Sequence, residues 1–223
     1  MKVTIVGASN MGRGIGTRVV AEGHEVEIVD RDPEEARRFA ADLGAAATAL
    51  EPGAPFGGEV VVFAVFYPRI KHAVQQYAAQ LAGKVVVDIT NPVDTETWDR
   101  LAAPPGSSPA EEVQQLLPEG TPVVKAFNTT FASTLIEGEA AGQQLDVLIA
   151  GDDDEAKRKV SELVADGSLR PIDAGPLRRA PQFEQVGFLH ILLQAREAFH
   201  IPMTIFEIDR VGRVPAAGSD VTG

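Results

Sequence analysis

Four runs that consist almost entirely of β-branched and other apolar residues recur along the first 130 residues of the chain. They cover residues 3–6, 60–65, 85–89 and 123–127, and none alternates between apolar and polar positions as a half-exposed strand does. Continuous runs of this kind are typical of parallel strands that are covered on both faces. The pattern therefore predicts an α/β protein with a Rossmann-like, doubly wound and mostly parallel sheet.

The segments between these runs carry the signals of helix ends. Asp32 and Pro33 start one helix that closes at Gly44, because aspartate caps a helix, proline suits its first position and glycine its end. Ser108 starts another in the same way. The three aspartates at 152–154 are predicted to be an acidic first turn rather than a metal site, since negative charge stabilises a helix N-terminus.

The most apolar helix is predicted at residues 183–199. Phe183, Val186, Leu189 and Leu193 form one stripe along it, and a second stripe follows Phe188 and Leu192. A helix that is apolar on two faces needs two partners. We therefore expect one face to pack on a Rossmann-like domain at residues 1–176 and the other to form a homodimer, with residues 177–223 as a small C-terminal helical extension and tail.

The turn after the first strand is rich in glycine and predicts a dinucleotide site. Its residues are Gly7, Ala8, Ser9, Asn10, Met11 and Gly12. In the pattern G-x-G-x-x-G the glycines allow a tight turn and close helix packing, and the helix N-terminus binds pyrophosphate. Ser9 replaces the middle glycine, and its hydroxyl is available to bond a phosphate. About twenty residues later, the second strand ends at Asp30 and Arg31.

The composition limits the classes of molecule that the protein is expected to bind. Lys and Arg number 20 against 32 Asp and Glu, giving a net charge of −12, which argues against nucleic acid and anionic membranes as partners. The absence of cysteine excludes thiol catalysis, iron–sulfur clusters and disulfides, and suits a reducing cytoplasm. With no targeting signal or membrane span in the sequence, we expect a cytoplasmic protein that acts on a small molecule.

The ligand is expected at the carboxyl ends of the parallel strands, where such sheets bind their cofactors. Beyond the glycine-rich turn, those ends hold Asp30, Arg31, Ala64–Tyr67, Thr90–Pro92 and Phe127–Thr129. This set has many small and amide side chains but few titratable groups, and it predicts neither a catalytic residue nor a metal ligand. The four histidines lie elsewhere in the sequence, and Lys125 is expected to reach the surface from its strand. This pattern suggests a reaction in which bound cofactors carry out the bond chemistry. Hydride transfer between two stacked rings is such a reaction, because it needs alignment and water exclusion more than an acid or base.

The residues also resemble a known family, the NADPH-dependent reductases of the deazaflavin coenzyme F420. The similarity is carried by an ordered set of segments within residues 1–195, namely 7–14 (GASNMGRG), 24–31 (HEVEIVDR), 87–92 (VDITNP), 124–129 (VKAFNT), 150–153 (AGDD) and 171–177 (PIDAGPL). The resemblance implies a hydride transfer between NADP(H) and coenzyme F420. The wider family includes reductases of other acceptors.

The resemblance also implies roles for individual residues. The turn at residues 7–12 would bind pyrophosphate, and Arg31 the adenosine 2′-phosphate of NADP. Ala64, Val65 and Phe66 would lie along the nicotinamide, while the place where two rings stack would be framed by Asn91, Pro92, Ala126, Phe127 and Asn128. Asp30 departs from the family, in which a small hydroxyl residue is usual, and a carboxylate there favours NAD. The resemblance favours NADP, with NAD as the alternative and an exposed Asp30–Arg31 ion pair as the non-functional interpretation.

Three functions remain open from the sequence. The first is an oxidoreductase of NADP and the deazaflavin. The second is a nicotinamide-dependent reductase of another acceptor, such as a flavin, a ferric chelate or an imine. The third is a non-catalytic sensor of nucleotide redox state that uses the same site.

Overall fold

A computed structural model describes residues 1–104, 106–140 and 142–196. Of residues 195 and 196 it describes the backbone alone. Ten strands and seven α-helices form in this part of the chain. The strands are β1 (Lys2–Val6), β2 (Glu25–Val29), β3 (Ala47–Ala49), β4 (Val60–Phe63), β5 (Val85–Asp88), β6 (Val123–Lys125), β7 (Glu139–Ala140), β8 (Gln143–Gln144), β9 (Asp146–Gly151) and β10 (Arg170–Asp173). The helices are α1 (Asn10–Ala21), α2 (Pro33–Leu43), α3 (Tyr67–Tyr77), α4 (Pro109–Gln114), α5 (Ala132–Glu137), α6 (Asp154–Asp166) and α7 (Ala180–Arg196).

Eight strands form one sheet in the order β10-β9-β6-β5-β4-β1-β2-β3. Strands β1 to β6 pair in parallel, while β9 pairs with β6 antiparallel and β10 pairs with β9 in parallel. The mostly parallel sheet is thus confirmed. Because β9 and β10 run opposite to the rest, their carboxyl ends lie at the other edge of the sheet from the glycine-rich turn.

Apolar side chains cover the sheet on both faces. One core joins the sheet to α1, α2, α5 and α6 through residues such as Ile15, Phe39 and Val160. The other joins it to α3 and α4 through Ile70, Val74 and Val113. Two cores on opposite faces are what the continuous apolar strands predicted, because each strand must bury both of its sides.

The predicted helix starts are confirmed by their capping contacts. Asp32 accepts a hydrogen bond from the Glu34 N–H at the start of α2, and Ser108 accepts one from Glu111 N–H at the start of α4. Asp153 caps α6, so the aspartate run is a helix start. The described residues contain no cluster of side chains that could hold a metal ion. None of the described helices has the length and apolar character needed to cross a membrane.

Helix α7 differs from its prediction in the face that it buries. Phe183, Glu184, Gly187 and His190 face inward, a mixed apolar and polar set. Leu189 and Leu193, predicted on one stripe with Phe183, are 51% and 40% exposed. The described part of the chain does not cover them, because the helix docks through its polar contacts. The predicted domain division at residue 176 stays a prediction, since residues 197–223, His200 among them, lie outside the described residues.

Candidate functional site

The glycine-rich turn lies against the end of β4. Gly7 has a φ of +111°, and a Cβ atom there would lie 2.5 Å from the Ala64 carbonyl oxygen. A Cβ atom on Gly12 would lie 2.6 Å from the Gly7 carbonyl oxygen. Real side chains do not tolerate such distances, so both positions require glycine and the turn keeps its backbone close to the sheet.

Ser9 holds the turn in place through its hydroxyl. The hydroxyl donates to the Ala64 carbonyl at 2.8 Å and accepts from Gly12 N–H at 3.2 Å. It therefore caps α1 and ties the turn to β4 at the same time. We expected this hydroxyl to be available for a phosphate, but the structure uses it inside the protein.

Three backbone N–H groups of the turn are left for an anion. Those of Gly7, Ala8 and Gly12 donate to protein oxygens. Among the described residues, no protein acceptor faces the N–H groups of Ser9, Asn10 and Met11. They stand at the first turn of α1, where the helix dipole also favours negative charge. The turn therefore fits the pyrophosphate of a dinucleotide.

Asp30 and Arg31 follow β2, but they do not form the ion pair that the sequence allowed. Asp30 accepts hydrogen bonds from the Ala8 and Asp32 N–H groups, at 2.8 and 2.9 Å. Its carboxylate thus braces the glycine-rich turn. Arg31 is exposed and makes no ion pair with any described residue, which leaves its guanidinium open to a phosphate.

A cavity of about 450 Å³ opens beside the turn. One wall is the turn itself, and the others come from the ends of β4 and β5, the start of α3 and a loop at residues 93–98. Phe66 and Trp98 both line it and are 69% and 52% exposed. Exposed aromatic side chains at the edge of an apolar cavity are suited to stacking on a flat ring.

No carboxylate, lysine, arginine or histidine among the described residues lines this main cavity. Among the described residues, Tyr67 is the one titratable group that lines it. The Tyr67 hydroxyl donates to Glu112 Oε2 at 3.2 Å, and burial, with the Glu112 charge, raises the pKa of Tyr67 to about 12. Tyr67 therefore stays neutral, with its proton directed to the protein.

A smaller cavity of about 140 Å³ adjoins the main one and shares Met11, Ile89, Asn91 and Ile191 with it. The amides of two residues pair across its wall: Asn91 Nδ2 donates to the Asn128 carbonyl at 2.7 Å, and Asn128 Nδ2 donates to Asn91 Oδ1 at 2.9 Å. Helix α7 approaches this pair so closely that a Cβ atom on Gly187 would lie 2.7 Å from Asn91 Oδ1. Glycine there lets the helix close the site.

Helix α7 also brings His190 to the smaller cavity. Its ring lies 5% exposed beside Thr129, whose carbonyl is 3.3 Å from His190 Nδ1. The expectation that all four histidines lie away from the strand ends was therefore wrong for His190. Its residue type and a helical spacing of three from Gly187 were the only sequence signals, and they do not say where the helix docks.

A buried ionic cluster joins β5, β6 and α7 next to the site. Lys125 Nζ lies 2.7 Å from Asp88 Oδ2 and 2.9 Å from Glu184 Oε1, and Lys125 and Asp88 are fully buried. The same ammonium group donates to the Thr90 carbonyl, next to Asn91. Our expectation that Lys125 reaches the surface was wrong, because two carboxylates from β5 and α7 meet its charge inside the protein.

The predicted site residues lie in five places. The main cavity is lined by Ala8, Ser9, Asn10, Met11, Ala64, Val65, Phe66 and Asn91. The smaller cavity adds Asn128. Gly7 and Gly12 shape the turn, Asp30 and Arg31 lie at the end of β2, and Pro92, Ala126 and Phe127 are buried behind the walls. Phe127 has a φ of +61°, a conformation that non-glycine residues rarely adopt and that is common near binding sites.

Comparisons with known proteins agree with this geometry. The family model described as NADP oxidoreductase, coenzyme F420-dependent, matches residues 2–92. The F420-dependent NADP reductase of Methanocaldococcus jannaschii is 32% identical over 202 residues, covering 83% of this chain and 89% of that protein. The chain belongs to the F420-dependent NADP reductase family.

Two further proteins are similar to this chain. A provisionally assigned F420-dependent NADP reductase from Arthrobacter sp. FB24 superposes with a TM-score of 0.76 at 29% identity, covering 88% of this chain and 94% of that one. The metalloreductase STEAP3 of Rattus norvegicus is 35% identical over 185 residues. The match covers 83% of this chain but only 36% of that protein, so the chain spans about a third of the metalloreductase's length.

Proposed function

We propose that the protein transfers a hydride between NADP(H) and a second redox ring, and that this ring is the deazaflavin of coenzyme F420. The carrying observation is the cavity of about 450 Å³, which is lined both by the turn, with three N–H groups that have no acceptor among the described residues, and by two exposed aromatic side chains. The N–H groups suit a pyrophosphate and the aromatic side chains a flat ring. The family of the chain supports the same pair of coenzymes.

The chain's own residues bind and align in this proposal. The Ser9, Asn10 and Met11 N–H groups hold the pyrophosphate, and Arg31 meets the 2′-phosphate. Ala64 and Val65 flank the nicotinamide at the end of β4, with Phe66 beside them. Bound NADPH supplies the hydride, so the protein has to place two rings in contact and exclude water.

No protein group is proposed to act as acid or base. The main cavity has Tyr67 as its single titratable side chain among the described residues, and its pKa is raised to about 12. In this proposal the hydride passes from the nicotinamide carbon to a carbon of the acceptor ring, and the proton that the reduced ring takes up on a nitrogen comes from solvent. The protein therefore supplies no proton at the reacting carbon atoms. The arrangement therefore supports a two-coenzyme reaction better than reduction of a carbonyl group, which requires a proton donor.

The test is a spectrophotometric assay of NADPH and NADH against coenzyme F420, a flavin and a ferric chelate. We expect turnover with NADPH and coenzyme F420. Turnover with NADPH and only a flavin or a ferric chelate would replace the acceptor in the proposal. Turnover with none of the acceptors, despite tight binding of NADPH, would support the sensor function instead.

A second candidate acceptor is a ferric chelate or a flavin. The identity of 35% to the metalloreductase STEAP3 over 83% of this chain supports it. The chain matches only a third of that relative, which leaves the deazaflavin as the preferred acceptor.

We also propose that the chain forms a homodimer through the outer face of α7. Leu189 and Leu193 are exposed there, and Val186, Phe188 and Leu192 are partly exposed. A second copy of the same helix would cover this apolar face isologously. The cysteine-free composition supports a reducing cytoplasm as the place of action.

A further inference from the structure

Two residues that line the smaller cavity each have one buried polar atom without a hydrogen bond in the described part of the chain. These atoms are Asn128 Oδ1 and His190 Nε2. Asn128 is 4% exposed and His190 is 5% exposed, and both line the cavity. Leaving a buried polar group unsatisfied typically costs about 1–3 kcal/mol, so two such atoms in one cavity point to a ligand.

The surrounding contacts fix Asn128 Oδ1 as a hydrogen-bond acceptor. Asn128 Nδ2 faces two acceptors, Asn91 Oδ1 at 2.9 Å and the Phe183 carbonyl at 3.0 Å. Only an amide nitrogen satisfies both, and they use its two hydrogens. The oxygen is therefore the atom without a partner, on a residue that lines the cavity.

His190 Nε2 is an acceptor for a similar reason. Nδ1 lies 3.3 Å from the Thr129 carbonyl, which accepts hydrogen bonds only, so Nδ1 carries the hydrogen. Burial lowers the pKa of His190 below its usual value, and the ring is neutral at pH 7. A neutral imidazole with its hydrogen on Nδ1 presents a bare lone pair at Nε2.

The cavity thus offers two acceptors, and none of the described residues that line it is charged, given the neutral ring of His190. Two acceptors repel a carboxylate or a phosphate, and a cation would find no countercharge there. A neutral O–H or ring N–H group fits this cavity, because it donates a hydrogen bond without bringing a charge into a buried place. The apolar walls formed by Ile89, Phe131 and Ile191 suit the rest of a ring. The volume of about 140 Å³ accommodates one small ring edge.

We infer that His190 and Asn128 form a subsite that binds a neutral hydrogen-bond donor, a hydroxyl or ring N–H group, on the hydride-exchanging ring. This inference rests on the proposed function for the identity of the ring. The subsite lies beside the main cavity and shares Asn91 and Ile191 with it. It selects acceptors that carry a neutral donor over anionic ferric chelates.

The first experiment uses phenol and anisole as probes on the full chain labelled with ¹⁵N-histidine. The two molecules have similar rings, but only phenol has a hydroxyl hydrogen. Phenol should shift the His190 Nε2 resonance, assigned by its loss in His190→Phe, and anisole should not. The exposed His72 is the internal control. Coenzyme F420 should displace phenol. An equal response to both probes, or no response to phenol, would overturn the subsite.

The second experiment compares His190→Phe with the matched variant His72→Phe. Loss of one acceptor should raise the KM for coenzyme F420 about tenfold, the upper range for one hydrogen bond, with NADPH affinity unchanged. An unchanged KM, or an equal loss of NADPH affinity, would contradict the inference. A shift with phenol in a protein that turns over no coenzyme F420 would leave the subsite standing and reject the proposed function.

Discussion

At the scale of single residues, several side chains have a task that their type alone did not reveal. Asp30 braces the glycine-rich turn through the Ala8 N–H, although a carboxylate at this position usually binds ribose. Ser9 occupies the middle position of the motif, and its hydroxyl donates a hydrogen bond to the Ala64 carbonyl. These contacts explain why a motif with Ser9 still forms a tight turn, and they make Asp30 a structural as well as an electrostatic group.

Arg31 and Asp30 should decide the choice between NADP and NAD. Arg31→Ala should weaken NADPH binding by about 1–3 kcal/mol, the range for a charge-assisted hydrogen bond, and affect NADH little. Asp30→Asn should favour NADPH relative to NADH, because the repulsive charge is gone while the amide oxygen accepts from Ala8 N–H, at the loss of the hydrogen bond from Asp32 N–H. The Kd values of both nucleotides give the answer. Equal weakening by Arg31→Ala would show that this residue does not read the 2′-phosphate.

Glu184 should make the stability depend on pH. Burial raises the pKa of its carboxyl to about 7, with Asp88 and Glu111 adding to the effect and Lys125 opposing it. As the pH rises, the Glu184 carboxyl therefore loses its proton at a lower pH in the unfolded chain than in the folded protein. The free energy of unfolding consequently falls as the pH rises from about 4.5 to above 7. Between pH 5 and pH 8 the loss should be roughly 2–3 kcal/mol relative to Glu184→Gln.

The measurement is urea unfolding of the native protein and of Glu184→Gln across that pH range. Glu162→Gln, a change at an exposed carboxylate on α6, is the control and should follow the native protein. Parallel pH profiles for native protein and Glu184→Gln would show that Glu184 ionises normally.

At the scale of elements, the site is assembled from pieces that are distant in the sequence. The turn before α1, the ends of β4 and β5 and the segment after β6 meet because parallel strands bring their carboxyl ends to one edge. The loop at residues 93–98 contributes Trp98 to the main cavity, and α7 packs against the smaller cavity through Gly187. The sequence marked the strand ends, but it did not show which loop and helix would cover them.

Trp98 should stabilise the second ring. Trp98→Ala removes an exposed aromatic surface at the cavity and should raise the KM for coenzyme F420 about three- to tenfold, which corresponds to a stacking contact of about 0.5–1.5 kcal/mol. Ile136→Ala is the matched control, because Ile136 is 49% exposed on α5 and lines neither cavity. A similar change in both variants would mean that Trp98 does not touch the ring.

At the scale of the whole molecule, the exposed face of α7 is the feature that a second copy would cover. Replacing Leu189 and Leu193 by aspartate should give a folded monomer, since both side chains lie at the surface of the single chain. Sedimentation equilibrium measures the mass. Gln185→Asp on the same helix, at a position that is also exposed, tests for a general effect of added negative charge. An unchanged dimer mass in the double aspartate variant would place the interface elsewhere.

The sequence by itself determined the sheet, its two covered faces, the helix starts and the dinucleotide turn. These follow from local signals, because apolar runs, capping residues and glycines act on their immediate neighbours. Tertiary structure alone decided the reversal of β9, the docked face of α7 and the partners of Lys125, Glu184 and His190. Helix periodicity ranks faces by apolar content, whereas α7 docks through Glu184, Gly187 and His190. Glu184 pairs with Lys125 of β6, and His190 Nδ1 lies against the Thr129 carbonyl after β6. Such pairings join residues far apart in the chain, and only the folded structure brings them together.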